Sequence, residues 1–156
     1  MEVFKRVLFP VDFSEVSPRI ASWVLDVAQK FGAEIHLLFV ARSLQHFVGL
    51  SVSEVAIEKF EGELIKGAEQ KMEEFINTCF PAYPVLKNRV VLGDAAEEIL
   101  RYVHSVGIDL VIMGSHGRKG VDRLLIGSVA EKVLKMSPVP VMIVNAPKIP
   151  GPQESE

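Results

Sequence analysis

Short apolar runs alternate with longer amphipathic stretches from one end of the chain to the other. Arg6 to Asp12, RVLFPVD, is a mostly apolar run of strand formers, the pattern of a strand buried on both faces. Ser17-Pro18 then reads as a helix N-cap followed by proline at the first helical position, with Ile20, Trp23, Val24 and Val27 at helical spacing and Gly32 as the stop. Glu34 to Val40 predicts a second strand. From about Ser53 to Cys79 the chain is rich in Glu, Lys, Ala and Leu, with Val55, Phe60, Leu64 and Met72 at intervals a helix uses. Gly62 and Gly67 weaken that helix by roughly 1 kcal/mol each relative to alanine. Asn88 to Leu92 predicts a third strand, Asp94 caps a helix ending near Gly107, and Asp109 to Met113 predicts a fourth strand. Ser128 starts the last helix, and Val139 to Val144 is the fifth strand.

This βαβαβαβαβ order predicts an α/β fold, a doubly wound five-stranded parallel sheet, because right-handed crossovers between parallel strands place helices on both faces. In the order 3-2-1-4-5 the first and fourth strands are neighbours whose following helices diverge, and the crevice between them is the expected ligand site. Asp12 and Gly114 should then meet in space. Two segments fit no regular element. Arg42 to Val52, RSLQHFVGLSV, is longer than most β-to-α connections, and connections of that length serve as lids, as partner contacts, or simply fold back on the domain. The tail from Ala146 to Glu156 holds three prolines, a glycine and two glutamates and is expected to be disordered, leaving one nucleotide-binding domain over 1–146 and a tail over 147–156. There is no internal repeat.

Composition narrows the class. A chain of 156 residues with 49% hydrophobic content is long enough for one core. A net charge of −3 from 17 basic and 20 acidic residues argues against nucleic acid as a partner. Cys79, the single cysteine, excludes an internal disulfide, no apolar stretch reaches membrane-spanning length, and the start MEVFKRVLF lacks a signal-peptide pattern, so a cytoplasmic location and no membrane partner are expected.

The chemistry concentrates in Gly114-Ser115-His116-Gly117, then nine residues, then Gly127-Ser128-Val129. A strand running into a glycine-spaced loop and a helix start aims backbone N–H groups at a phosphate. The spacing is neither the P-loop nor the dinucleotide fingerprint. It resembles G-x2-G-x9-G-S/T, the ATP-binding signature of the universal stress protein family. GSHGRKGVDRLLIGSVAEKVL is similar to that family almost continuously, KRVLFPVDFSEVS resembles its first strand and turn, and SPVPVMIV its last strand, so the likeness runs from Lys5 to Val144. It implies a Rossmann-like fold of the adenine nucleotide alpha hydrolase type, ATP or AMP as ligand, Mg²⁺ arriving with ATP, a role in stress response through unknown protein partners, and a homodimer through Val139–Val144.

Residue by residue, Gly114, Gly117 and Gly127 let the backbone approach a ligand and adopt positive φ, or simply form a turn and a close helix–strand contact. Ser128 caps its helix or bonds a phosphate oxygen, and Val129 adds a backbone N–H. Asp12 accepts from a ribose hydroxyl or an adenine amino group, or caps the turn into the first helix. By resemblance Pro10, Val11 and Val40 line an adenine pocket, with Val40 acting through its backbone, and Met113 packs nearby. Arg118, Lys119 and Arg123, together with Asp122, form either a phosphate-neutralising loop or a solvated charge run. Ser115 and His116 invite a catalytic pairing, but no acidic partner can be named for them. His36, His46 and His104 lack metal-ligand spacing. With no evident residue to orient an attacking water, the protein is expected to be at most a slow ATPase. A dimeric interaction module with a vestigial site is the other alternative.

Overall fold

A computed structural model describes residues 4–115 and 126–146. In chain order it has β1 (Arg6–Pro10), α1 (Ser17–Phe31), β2 (Glu34–Arg42), a 3₁₀ turn (Gln45–Phe47), α2 (Glu54–Cys79), β3 (Leu86–Gly93), α3 (Ala95–Val106), β4 (Leu110–Gly114), α4 (Ser128–Met136) and β5 (Val141–Val144). The strands form one sheet in the order β3-β2-β1-β4-β5, and each neighbouring pair is parallel. The expected topology is therefore the observed one.

Strand periodicity sorts side chains between two cores. Val7, Phe9, Ile35, Leu37, Leu110 and Ile112 face α1 and α2, where Ile20, Val24, Ala28, Met72 and Phe80 cover them. Leu8, Leu38, Val111 and Met113 face the other way, against Ile99, Val103, Ala130 and Val133 of α3 and α4. Each fully buried aliphatic side chain stabilises the fold by about 1.5–3 kcal/mol, so the run Val7-Leu8-Phe9 serves both layers at once.

Several boundaries differ from the sequence reading. The N-cap of α1 is Val16, not Ser17; Ser17 is already helical, and its hydroxyl turns back to Asp12. Gly32 does stop α1, in a left-handed conformation at φ 64° with its N–H on the Ala28 and Gln29 carbonyls. Ser53 caps α2 by accepting from Ala56 N, and Asp94 caps α3 by accepting from Glu97 N. α2 is continuous through Gly62 and Gly67. Its buried positions are Ile57, Glu61, Ala68 and Met72, whereas Val55, Phe60 and Leu64 are exposed; on α1, Trp23 is likewise exposed and Val27 only half-buried. β5 begins at Val141, because the Pro140 carbonyl already accepts from Val111 N while proline offers no donor of its own. Asp109 precedes β4 and ties it to β1: one carboxylate oxygen accepts from both Lys5 N and Arg6 N at 2.9 Å. Residues 147–156, most of the predicted tail, lie outside the described residues.

A polar chain crosses the lower half of the sheet. Arg6 Nε meets Glu34 Oε2 at 3.0 Å, His36 Nε2 lies 3.5 Å from the same oxygen, and His36 Nδ1 is 2.7 Å from the Tyr102 hydroxyl. A neutral ring satisfies both contacts when Tyr102 donates to Nδ1 and Nε2–H faces Glu34. Burial pushes the imidazole below its ordinary 6.5, against the hydrogen bond and charge of Glu34, which raise it. A histidine depressed in the folded state binds its proton more tightly when unfolded, so its contribution is present above about pH 6.5 and is lost as pH falls. Burial also opposes ionisation of Glu34, but the hydrogen bonds from Arg6 and His36 outweigh it and hold that carboxyl below 4.5, so loss of its contribution belongs to a lower pH window. The melting temperature is expected to fall by a few degrees between about pH 7.5 and pH 5.5, and His36→Gln should flatten that slope. Calorimetric melting across the range checks this; an unaltered slope in the variant would count against His36 as the titrating group.

Candidate nucleotide-binding cleft

The site begins where β1 ends. β1 stops at Pro10, opposite Leu38, while β2 continues four residues further beside β3, to Arg42 opposite Gly93. In a parallel ladder alternate residues bond to opposite neighbours. Ile35 N donates to Val85 O on the β3 side, whereas Glu34 N donates to Lys5 O and Leu38 O accepts from Val11 N on the β1 side. Val40, two residues beyond Leu38, turns its N–H and C=O to that same side, past the end of β1. It thus presents one backbone donor and one acceptor to an open edge.

The chain leaving β1 forms the floor. Asp12 Oδ1 accepts from Ser14 N at 2.9 Å and from Ser17 Oγ at 2.8 Å, which fixes the carboxylate in the turn before α1. Asp12 therefore lies in the turn and does not end the strand. Phe13, beside it, sits at φ 57°, a conformation costing a non-glycine residue roughly 1–2 kcal/mol. Its ring packs on Phe39 and Phe75 at centroid distances of 4.8 and 5.9 Å, and that packing holds the turn in place.

The opposite wall is the start of α4. Ser115 N donates to Val144 O and Ser115 O accepts from Gly127 N at 2.6 Å, so the two ends of the glycine-spaced segment are clasped together and anchored to β5. Gly127 is the N-cap, at φ −60° and ψ 156°. Neither it nor Gly114 adopts positive φ, which corrects that expectation: at Gly127 any residue fits the backbone, and only space favours glycine. Ser128 does not cap the helix either; it is the first helical residue, and no side-chain bond closes the cap. Ser128, Val129 and Ala130 lie in the first turn, where N–H groups have no acceptor within the helix and the dipole is positive.

These walls enclose a cleft of about 960 Å³. Pro10, Val11, Asp12, Val40, Met113, Gly114, Ser115, Gly127, Ser128 and Val129 all line it. His116, Gly117, Arg118, Lys119, Asp122 and Arg123 lie outside the described residues. The sequence reading missed a further wall: Arg42 at the end of β2, Leu44 just after it, and Phe60, Glu63, Leu64, Gly67 and Lys71 along α2. Spacing gave no signal for it, because Phe60 and Leu64 fit a helical core stripe in sequence and only their exposure in the fold marks them as cleft-lining. Among the described residues no group of three His, Cys, Asp or Glu side chains could hold a metal ion, and no helix is long and apolar enough to cross a membrane.

A parallel sheet in this order, with a cleft where the first strand stops beside the fourth, defines a Rossmann-like α/β protein. The chain belongs to the universal stress protein family, which it matches over residues 4–145. Universal stress protein MJ0531 of Methanocaldococcus jannaschii is 32% identical over 147 residues, 94% of this chain and 85% of that one. Universal stress protein MJ0577 of the same organism is 31% identical over 92% of this chain and 96% of its own. The solved structure of MJ0577 superposes with a TM-score of 0.82 at 29% identity, covering 95% of this chain and 100% of that one. Two more distant structures share the fold. One is a universal stress protein in complex with cAMP (TM-score 0.60, 18% identity, 94% and 100% covered), the other an Arabidopsis thaliana family protein with AMP bound (TM-score 0.55, 18% identity, 96% and 97% covered).

Proposed function

We propose that this protein binds an adenine nucleotide, ATP or AMP, in the cleft beyond β1 and acts in stress response as a nucleotide-dependent switch or scaffold. The observation that carries the reading is the convergence of three complementary groups on one cleft: the open backbone edge of Val40, the carboxylate of Asp12 and the first turn of α4. An N–H beside a C=O matches adenine, whose N1 accepts and whose amino group donates; guanine held the same way round by its ribose and phosphates would present the reverse, an acceptor at O6 and a donor at N1. A carboxylate is an acceptor for ribose hydroxyls, and a helix start receives phosphate. Mg²⁺ would accompany ATP, held mainly by its phosphates. The family's solved complexes with cAMP and AMP agree with an adenine nucleotide as the ligand class.

Isothermal titration of ATP, AMP and GTP tests the reading. Both adenine nucleotides are expected to bind, and GTP at least tenfold more weakly; no heat and no thermal shift with ATP or AMP would overturn it. Gly127→Val should fold, since φ −60° and ψ 156° suit valine, yet lose roughly tenfold or more in ATP affinity because the new side chain occupies the approach to the helix start. Asp12→Ala should weaken ATP binding by about 1–3 kcal/mol, the cost of losing hydrogen bonds to an ionised group. Because Asp12 also holds Ser14 and Ser17, Ser17→Ala is the control that loosens the turn while keeping the carboxylate; an equal loss of affinity in Ser17→Ala would assign Asp12 a purely structural role.

A homodimer through the β5 edge belongs to the same proposal. The two edges of the sheet differ: β3 carries Lys87, Asn88 and Arg89, while β5 is Val141-Met142-Ile143-Val144, with no charge to discourage pairing. A two-fold copy would pair that edge over a short span, since Pro140 has no N–H to give. Light scattering should give twice the chain mass at micromolar concentration, falling to the monomer in Met142→Asp.

A further inference from the structure

The connection between β2 and α2 is a largely self-bonded unit. Phe47 N donates to Leu44 O, Val48 N to Gln45 O and Gly49 N to Val52 O, and Val48 and Val52 form a bridge that pinches the tip. Its bonds are thus mostly internal. Among the described residues, its hydrogen bonds to the rest of the protein before the Ser53 cap are those to Glu61: Leu44 N to Glu61 Oε1 at 3.0 Å, and Gln45 Nε2 to the same oxygen at 3.4 Å.

Glu61 is a carboxylate only 7% exposed, on the buried stripe of α2. A buried carboxylate is costly unless its oxygens are bonded, so the ties to 44 and 45 hold the connection down and at the same time satisfy one of those oxygens, Oε1. One residue of this unit, Leu44, lines the cleft, facing a wall that includes Phe60 and Leu64. Beyond it Phe47, Val48, Leu50 and Val52 leave much of their apolar surface in water, with Leu50 72% exposed. The exposed part of these side chains, Leu50 above all, gains by folding down onto a ligand's flat apolar face.

We propose that residues 43–53 form a lid over the cleft and that Glu61 is its anchor, a positioning residue that fixes the root of the lid beside the cleft by holding Leu44 and Gln45. This rests on the reading of the cleft as an adenine-nucleotide site. Closure retains the nucleotide chiefly by slowing its departure, as ordered lids generally do.

The test combines ATP titration with amide hydrogen exchange on the full chain. In the wild type, saturating ATP should slow exchange across 43–53. Glu61→Ala should bind ATP roughly tenfold more weakly, the scale of one charge-assisted hydrogen bond, and lose that ATP-dependent protection. Glu61→Gln keeps a side-chain carbonyl acceptor and should retain both. A purely structural role for Glu61 would change melting temperature without changing the response of 43–53 to ATP. Phe47→Ser alters a side chain already 44% exposed, so it reads out the lid should Glu61→Ala fail to fold; several-fold weaker ATP binding with the fold intact is expected. Equal ATP affinity in Phe47→Ser and in any folded Glu61→Ala, with no ATP effect on exchange in 43–53, overturns the lid and leaves the cleft reading standing. Failure of ATP and AMP to bind the wild type overturns both.

Discussion

A parallel sheet pairs both sides of an inner strand, and a strand that outlasts its neighbour must leave main-chain groups unpaired at its end. β2 is that strand. Its β3 side is paired as far as Arg42, but on the β1 side the ladder ends at the Val11–Leu38 bond, and Val40 is left facing the cleft. Buried or semi-buried backbone polar groups are costly when unsatisfied, so such an edge must meet water or a ligand. The rest of the site follows from this step in the sheet: β1 has to turn away at Asp12, the turn demands the strained Phe13, and the aromatic packing of Phe13 on Phe39 and Phe75 keeps the carboxylate at the cleft floor.

The opposite wall depends on a second clasp of the same economical kind. Ser115 is bonded through its N–H to β5 and through its carbonyl to Gly127, so one residue joins the end of β4, the edge strand and the cap of α4. The N–H of Gly127 is thereby spent on Ser115. The donors left for a ligand belong to the first helical turn, Ser128 to Ala130, one step later than a reading centred on the glycine would put them. Space at Gly127 and donors just after it are separate requirements, and the glycine answers only the first.

Topology was legible because each strand is a short apolar run and three of the four helices carry their own punctuation: Gly32, Ser53, Asp94 and Gly107 all terminate or cap elements as their chemistry requires. The ten described residues expected at the site do surround one cleft, because strand ends at a switch point are fixed once the strand order is known. Details that depend on which partner a side chain or backbone group finds in the folded chain were not legible. Ser17 and Ser128 look like caps, yet Val16 and Gly127 occupy those positions, since Ser17 is drawn to Asp12 and Gly127 to Ser115. Phe60 and Leu64 fit a helical core stripe by spacing, but they sit where α2 borders the cleft.

That last misfit has a physical consequence. α2 has 26 residues, about 39 Å at 1.5 Å per residue, roughly 10 Å more than β2, the longest strand it packs on, spans at about 3.3 Å per residue. Only its later part reaches the core, through Met72 and the aromatic residues near Phe80; the earlier part buries Ile57 and Glu61 and lines the cleft. A helix that long needs something besides the sheet to bury its first turns, and the connection 43–53, held at Glu61, supplies part of it. The same few contacts therefore govern how firmly α2 begins and how the cleft is roofed. Regions with few buried apolar contacts open at low free-energy cost. A ligand filling the space between Leu44, Phe60 and Leu64 would add the contacts this end of the molecule lacks, so binding and local order would be linked at the first turns of α2.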